Sequence, residues 1–228
     1  DAIYQNINLI KDEKPDTVAV FGGDHIYKMD VNQMVDYHKE KASLATIAAI
    51  PVPLEEATEF GVIEVDIEGR MIGFEEKPTQ PKEIPGRPGW ALASMGNYIF
   101  NSRFLVRELM NDAEADSSHD FGKDILPKIY KDYPVYVYDF TSNRIRGEGT
   151  YNHGYWRDVG TLDAFYEANM DVCSVHPQFN LYNHHWPIRT HNWNYAPAKF
   201  VFAGDEDGRR GEAIDSVISE GCILSGGT

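Results

Sequence analysis

Short runs of consecutive apolar residues alternate along this chain with stretches in which apolar positions recur every three or four residues. Ala2, Ile3, Ile7 and Ile10 have helical spacing, and Lys14-Pro15-Asp16 closes that helix. Thr17-Val18-Ala19-Val20-Phe21 is a continuous apolar run, as expected of a strand buried on both faces, and it ends in Gly22-Gly23-Asp24-His25. Val31, Met34, Val35 and His38 mark a second helix, and residues 44–50 a second buried strand. Strand, helix, strand in this order reads as a βαβ unit with a right-handed crossover.

Pro51 and Pro53 break the pattern, and Glu55-Glu56-Ala57 follows as a helical turn. Residues 61–65 and 71–74 read as a hairpin joined through Asp66-Ile67-Glu68-Gly69. Pro81, Pro85 and Pro88 make residues 79–89 a loop, expected to lie over a site. Residues 92–100 form a strand with small residues at its start. Ser102 is the expected cap of a helix carrying Phe104, Leu105 and Leu109. Ser117 or Ser118 caps the next helix, which carries Phe121, Ile125 and Ile129.

Residues 134–140 read as a strand, and residues 143–154 as a mobile loop with three glycines. Tyr155-Trp156-Arg157-Asp158 is a short strand, after which Thr161 caps a helix with Leu162, Phe165, Tyr166 and Met170 on its faces. Histidines and aromatics crowd residues 177–199, but His184, His185 and His191 have no spacing that puts a ligand pair on one helix face. That segment reads as an interdomain linker. Val217 and Ile223 are six residues apart, as are Ile218 and Leu224, with small residues between them. Six is the period of a left-handed β-helix.

Composition narrows the function classes. The 228 residues suit one large domain, or one domain and part of another. Lysine and arginine number 21 against 36 acids, a net charge of −15, and no long basic run occurs. Nucleic-acid binding by counterion release is thereby disfavoured, and an anionic ligand would need a few placed cations or a metal. Cys173 and Cys222 fit no zinc or redox spacing, so free thiols in a reducing, cytoplasmic compartment are expected. No apolar run is long enough to span a membrane.

Candidate chemistry gathers at strand ends. In open α/β sheets, ligands collect at the carboxyl ends of the strands. Asp24 stands at such an end behind two glycines, where it can hold a divalent metal or simply cap the next helix. Asp158 is a second strand-end aspartate, and two such carboxylates can share one ion. Glu75-Glu76-Lys77-Pro78 closes the hairpin. A lysine there can grip a phosphate as a point charge, and a carboxylate can accept hydrogen bonds from sugar hydroxyls. The same four residues also fit a solvated strand end with an incidental ion pair. Ser94 and Gly96 leave room for a ligand beside the sheet, or serve close packing. His119, in a capping turn, is a candidate base or a structural residue.

Several stretches together resemble the bacterial glucose-1-phosphate adenylyltransferases of the sugar nucleotidyltransferase family. They are Gly23-Asp24-His25-Ile26-Tyr27-Lys28, Glu59-Phe60-Gly61-Val62, Glu76-Lys77-Pro78, Ala93-Ser94-Met95-Gly96, Ser117-Ser118-His119-Asp120-Phe121-Gly122-Lys123-Asp124, Tyr155-Trp156-Arg157-Asp158-Val159-Gly160-Thr161, Trp186-Pro187-Ile188-Arg189-Thr190 and Gly221-Cys222. The resemblance implies an α/β, Rossmann-like nucleotidyltransferase domain at residues 1–176, a linker at 177–199 and the first part of a left-handed β-helix at 200–228. It implies the reaction of ATP with α-D-glucose 1-phosphate to ADP-glucose and pyrophosphate, with Mg²⁺, in an allosteric homotetramer of glycogen biosynthesis.

By the same resemblance, Asp24 and Lys77 are catalytic. Gly61, Glu76, Lys77 and Ser94 bind glucose 1-phosphate, and Asp24 and Asp158 hold the metal. The family opens with a strand and a Gly-rich loop bearing an arginine that cradles the triphosphate, and nothing here matches it. The chain is therefore expected to be the middle of a longer protein, its catalytic domain incomplete at the N-terminus, and inactive alone. A non-catalytic regulatory subunit or paralogue of the same fold, and an enzyme using another nucleotide, remain as alternatives.

Overall fold

The computed structural model describes residues 2–149, 154–202 and 210–226. Its elements, in chain order, are helices α1 (Ala2–Gln5) and α2 (Ile7–Glu13), strands β1 (Thr17–Val20) and β2 (His25–Tyr27), helix α3 (Val31–Glu40) and strand β3 (Ala45–Pro53). Helix α4 (Leu54–Ala57), strands β4 (Gly61–Val65), β5 (Met71–Glu76) and β6 (Trp90–Asn101), and helix α5 (Ser102–Ala113) follow. A π-helical turn (Phe121–Ile125) runs into α6 (Leu126–Asp132), then β7 (Val135–Asp139), β8 (Trp156–Asp158), α7 (Leu162–Cys173) and the two-residue strands β9 (Lys199–Phe200) and β10 (Ile223–Leu224). The contacts divide the chain into two units, one of residues 1–25 and 29–145, the other of residues 26–28 and 146–228.

The first unit is built on a mixed sheet in the order β5-β4-β6-β3-β7, with β1 also paired to β6. The twelve-residue β6 is its central strand. One edge pairs antiparallel with β3 along almost its whole length, and the other is shared by β4 and β1. β1 and β3 are thus not neighbours, as a simple βαβ unit would make them; β6 lies between them. β7 runs parallel to β3 from Ala45↔Val135 to Ala49↔Asp139. Pro51 and Pro53 do not interrupt β3. They lie past the last pair with β7, where no ladder donor is needed on that side.

The core lies between the sheet and its helices. Ile47, Phe100, Leu105, Leu126 and Ile129 are almost fully buried, and Met34 of α3 is completely so. Each such side chain contributes about 1.5–3 kcal/mol by leaving water. Two caps differ from the sequence reading. The side chain of Asn101, not Ser102, accepts the Phe104 amide at 3.1 Å. Asp120, not Ser117 or Ser118, accepts the Lys123 amide at 2.9 Å. Both serine hydroxyls are engaged elsewhere, Ser117 on Asp112 and Ser118 on Asp124.

In the second unit β2 pairs with β8, and the Thr161 hydroxyl caps α7 by accepting the Ala164 amide at 3.2 Å. Lys28 and Glu148 form a buried ion pair at 2.8 Å. Lys28 also donates to the Asn180 carbonyl and lies 5.2 Å from the Phe179 ring centre, while Asn183 donates to Glu148 at 3.1 Å. A pair this enclosed is held by the extra hydrogen bonds that satisfy it. No helix or strand occurs between Cys173 and Lys199. β9 and β10 then pair in parallel, Lys199↔Ile223 and Phe200↔Leu224. The glycine-rich loop expected at 143–154 lies partly outside the described residues, as do residues 203–209 and 227–228 of the expected β-helix.

Candidate functional site

The carboxylate of Glu76 organises one end of the first unit. The β4–β5 ladder sets Glu76 opposite Gly61. A Cβ built on Gly61 would lie 2.9 Å from Glu76 Oε2 and 2.6 Å from Phe74 Cζ. A Cβ on Gly122, in the π-helical turn, would lie 3.0 Å from the same Oε2 and 3.3 Å from Asp120 Oδ1. Two glycine backbones, far apart in sequence, therefore close on one carboxylate. A Cβ at either position would crowd that carboxylate, and at residue 61 the Phe74 ring as well, so glycine lets both backbones approach it closely.

Lys77 follows in the left-handed region, φ 47°, which a lysine rarely adopts. Its amide donates to the Phe60 carbonyl at 3.1 Å, and Pro78 behind it is buried. Such a conformation costs about 1–2 kcal/mol. Strain of that kind gathers at ligand sites, where surrounding structure holds it. The Lys77 side chain is exposed, and among the described residues it pairs with neither Glu75 nor Glu76. The incidental ion pair that these residues also fitted is not formed there.

Ser94 sits opposite Ala49 in β6, just before a register shift between Ile47 and Ala49. Gly96 takes φ 69° at this irregularity, and its amide donates to Ser94 Oγ at 3.3 Å. Burial, offset in part by Ser94 and reinforced by Asp120 and Glu76, pushes the Tyr98 phenol up to about 12. The phenol therefore stays protonated at neutral pH. Phe121 stacks on Tyr98 with ring centres 5.4 Å apart. The room expected beside Gly96 is used by the ring of His25, whose Cε1 lies 3.4 Å from where a Cβ on Gly96 would be.

Asp24 stands at the end of the β1 run with its side chain 73% exposed, and Oδ1 is 3.6 Å from His25 Nε2. Asp158 belongs to the second unit, where Oδ1 accepts the Gly160 amide at 2.8 Å and the side chain is exposed. Both offer hard carboxylate oxygens open to solvent, the donor type that suits Mg²⁺, which keeps several of its own waters.

Gly61, Glu76 and Lys77 thus meet at one strand end, and Ser94 reaches the same surroundings through Tyr98. Tyr98, Asp120 and Gly122 were not singled out as site residues by the sequence reading. Asp120 and Gly122 lie in the Ser117-to-Asp124 stretch, the signal that pointed there; Tyr98 had no comparable signal beyond its place four residues after Ser94.

Residues 1–175 match the family model described as nucleotidyl transferase, and residues 196–228 match a GlmU-like, C-terminal hexapeptide model. The parallel β9–β10 pair is the start of that hexapeptide, left-handed β-helical part. Among curated proteins, the chain is similar to a glucose-1-phosphate adenylyltransferase of Anaeromyxobacter dehalogenans (strain 2CP-C), 55% identical over 99% of this chain and 55% of that protein. A glucose-1-phosphate adenylyltransferase of Anaeromyxobacter sp. (strain Fw109-5) is 56% identical over 100% of this chain and 56% of its own length. Glucose-1-phosphate adenylyltransferase 1 of Vibrio cholerae serotype O1 (strain ATCC 39315 / El Tor Inaba N16961) is 50% identical over 100% of this chain and 55% of its own. The chain spans about half the length of the curated relatives it matches.

Proposed function

The chain belongs to the nucleotidyl transferase family, and from that premise we propose that it contributes the sugar-phosphate site of a glucose-1-phosphate adenylyltransferase. The reaction is ATP plus α-D-glucose 1-phosphate to ADP-glucose and pyrophosphate. The observation that carries this reading is the Glu76 carboxylate between Gly61 and Gly122, followed directly by the strained, exposed Lys77. The names and identities of the relatives support the choice of ATP and glucose 1-phosphate.

In this reading Lys77 is the cation on the sugar phosphate, Glu76 accepts from the sugar hydroxyls, and Gly61 and Ser94 form the wall of the pocket. An oxygen of the sugar phosphate attacks the α-phosphorus of ATP in line, and pyrophosphate leaves. Such a transfer needs alignment and charge neutralisation more than proton traffic, so no general base is assigned to His25 or His119. Asp24 and Asp158 are the residues that would hold Mg²⁺, which when bound offsets phosphate charge and the negative charge of the chain. Asp24 is assigned as catalytic on that account.

The catalytic domain runs over residues 1–176 in this reading, the linker over 177–199 and the β-helix from 200 onward, supported by the reach of the two family matches. A role in glycogen biosynthesis in the cytoplasm, allosteric control and a homotetramer belong to the same proposal. Among the described residues, no helix is long and apolar enough to cross a membrane. A non-catalytic paralogue is disfavoured because Asp24 and Lys77 are both present.

The test is pyrophosphate release by the full-length gene product with glucose 1-phosphate and ATP, UTP or dTTP. A clear preference for ATP is expected, and a preference for UTP or dTTP overturns the assignment of the nucleotide.

A further inference from the structure

His119 was singled out by the sequence but has no part in the chemistry above, and beside it lies a buried acid that the mechanism does not use. Asp112, at the end of α5, is 6% exposed. Its Oδ2 accepts from His119 Nδ1 at 2.9 Å, and its Oδ1 accepts from Ser117 Oγ at 2.8 Å, with the Lys128 ammonium at 3.5 Å. Burial pushes the Asp112 carboxyl up, but His119, Ser117 and Lys128 outweigh it and hold the group below its ordinary value. An ionised carboxylate only accepts, so the proton of this bond sits on His119 Nδ1.

The backbone is tied at the same place. His119 takes φ 60°, and its amide donates to Ser117 Oγ at 3.0 Å. Directly after it come three residues that face Tyr98 or Glu76. Asp120 acts on the Tyr98 phenol and caps the π-helical turn, Phe121 stacks on Tyr98, and Gly122 closes on the Glu76 carboxylate. A π-helical turn is an uncommon, locally weak geometry that something must hold in place.

We infer that His119 is a positioning residue: its bond to buried Asp112 locks the left-handed turn that sets Asp120 and Phe121 against Tyr98 and Gly122 against Glu76. This rests on the reading of Glu76 and Lys77 as the sugar-phosphate site. Loss of the lock selectively weakens glucose 1-phosphate binding and leaves the nucleotide side nearly untouched.

The test uses variants of the full-length gene product that separate backbone from hydrogen bond. Glycine accepts the left-handed conformation and removes the donor. Asparagine also tolerates that conformation and carries an N–H at the position of Nδ1. His119→Gly is expected to raise the KM for glucose 1-phosphate about tenfold, the scale of one lost charge-assisted hydrogen bond, with the KM for ATP changed less than about twofold. His119→Asn is expected to stay within about threefold of wild type.

A wild-type KM in His119→Gly, an equal rise in both KM values, or an asparagine variant as impaired as the glycine one each overturns the inference. Should His119→Gly not fold, Asp112→Ala, which removes the acceptor, is expected to give the same selective rise, and no rise overturns it. Lys77→Ala is the reference. If it leaves the KM for glucose 1-phosphate unchanged, the sugar-site reading falls and takes this inference with it. If it raises that KM and the His119 variants do not, only the inference falls.

Discussion

Glu76 and Gly61 face each other across the β4–β5 ladder, and the carboxylate of Glu76 fills the space that a side chain on residue 61 would need. Gly61→Ala would set a Cβ 2.6 Å from the Phe74 ring and 2.9 Å from Glu76 Oε2. The carboxylate can swing away, whereas Phe74 packs against the core and resists. We expect a loss of about 1–2 kcal/mol in stability together with a raised KM for glucose 1-phosphate. Urea melts and steady-state kinetics check both, and an unchanged KM would show that Glu76 does not touch the sugar.

Lys77 offers a separation of strain from binding. Lys77→Gly and Lys77→Ala both remove the ammonium and should raise the KM for glucose 1-phosphate far more than that for ATP. They differ in backbone: glycine accepts φ 47° freely, so the glycine variant should be the more stable by about 1 kcal/mol. Equal melting temperatures for the two would mean the strain is not stored in this turn.

Asp24 is solvent-open, and among the described residues its one ion-pair approach is to His25 at 3.6 Å, so its replacement should leave the fold intact. Asp24→Asn is expected to lower kcat by roughly a hundredfold or more and to weaken Mn²⁺ binding measured by electron paramagnetic resonance. Full Mn²⁺ affinity in the variant would remove Asp24 from the metal site.

His38 supplies a pH dependence of stability remote from the site. It is buried in α3, its Nδ1 2.8 Å from Thr46 Oγ1, and burial, then Lys39, hold its pKa below the ordinary 6.5. Between the folded and ordinary values the unfolded chain binds more protons, so stability rises with pH there. The contribution is complete above about 6.5 and is lost as pH falls through that value towards the folded one. Urea midpoints against pH should show this slope, and His38→Gln should flatten it. An identical slope in the variant rules His38 out as the source.

Local pattern by itself determined much of this protein. The apolar runs of β1 and β3, the helical spacing of Met34 and His38, the hairpin of β4 and β5 and the Thr161 cap were all legible, because burial on one face writes a period into neighbouring residues. The stretches around Asp24, Glu76, Ser94 and Asp158 were legible as motifs. What only the tertiary structure decided depends on residues distant in the chain. That β6 separates β1 from β3 follows from strand pairing, which a local period does not encode. Asp120 prevailed as a cap because Ser117 and Ser118 found other partners, and Asn101 because its side chain, one residue before Ser102, accepts the Phe104 amide. The meeting of Gly61 and Gly122 on one carboxylate, and of His119 with Asp112, joins separate elements through packing, and packing is a property of the folded chain rather than of any stretch within it.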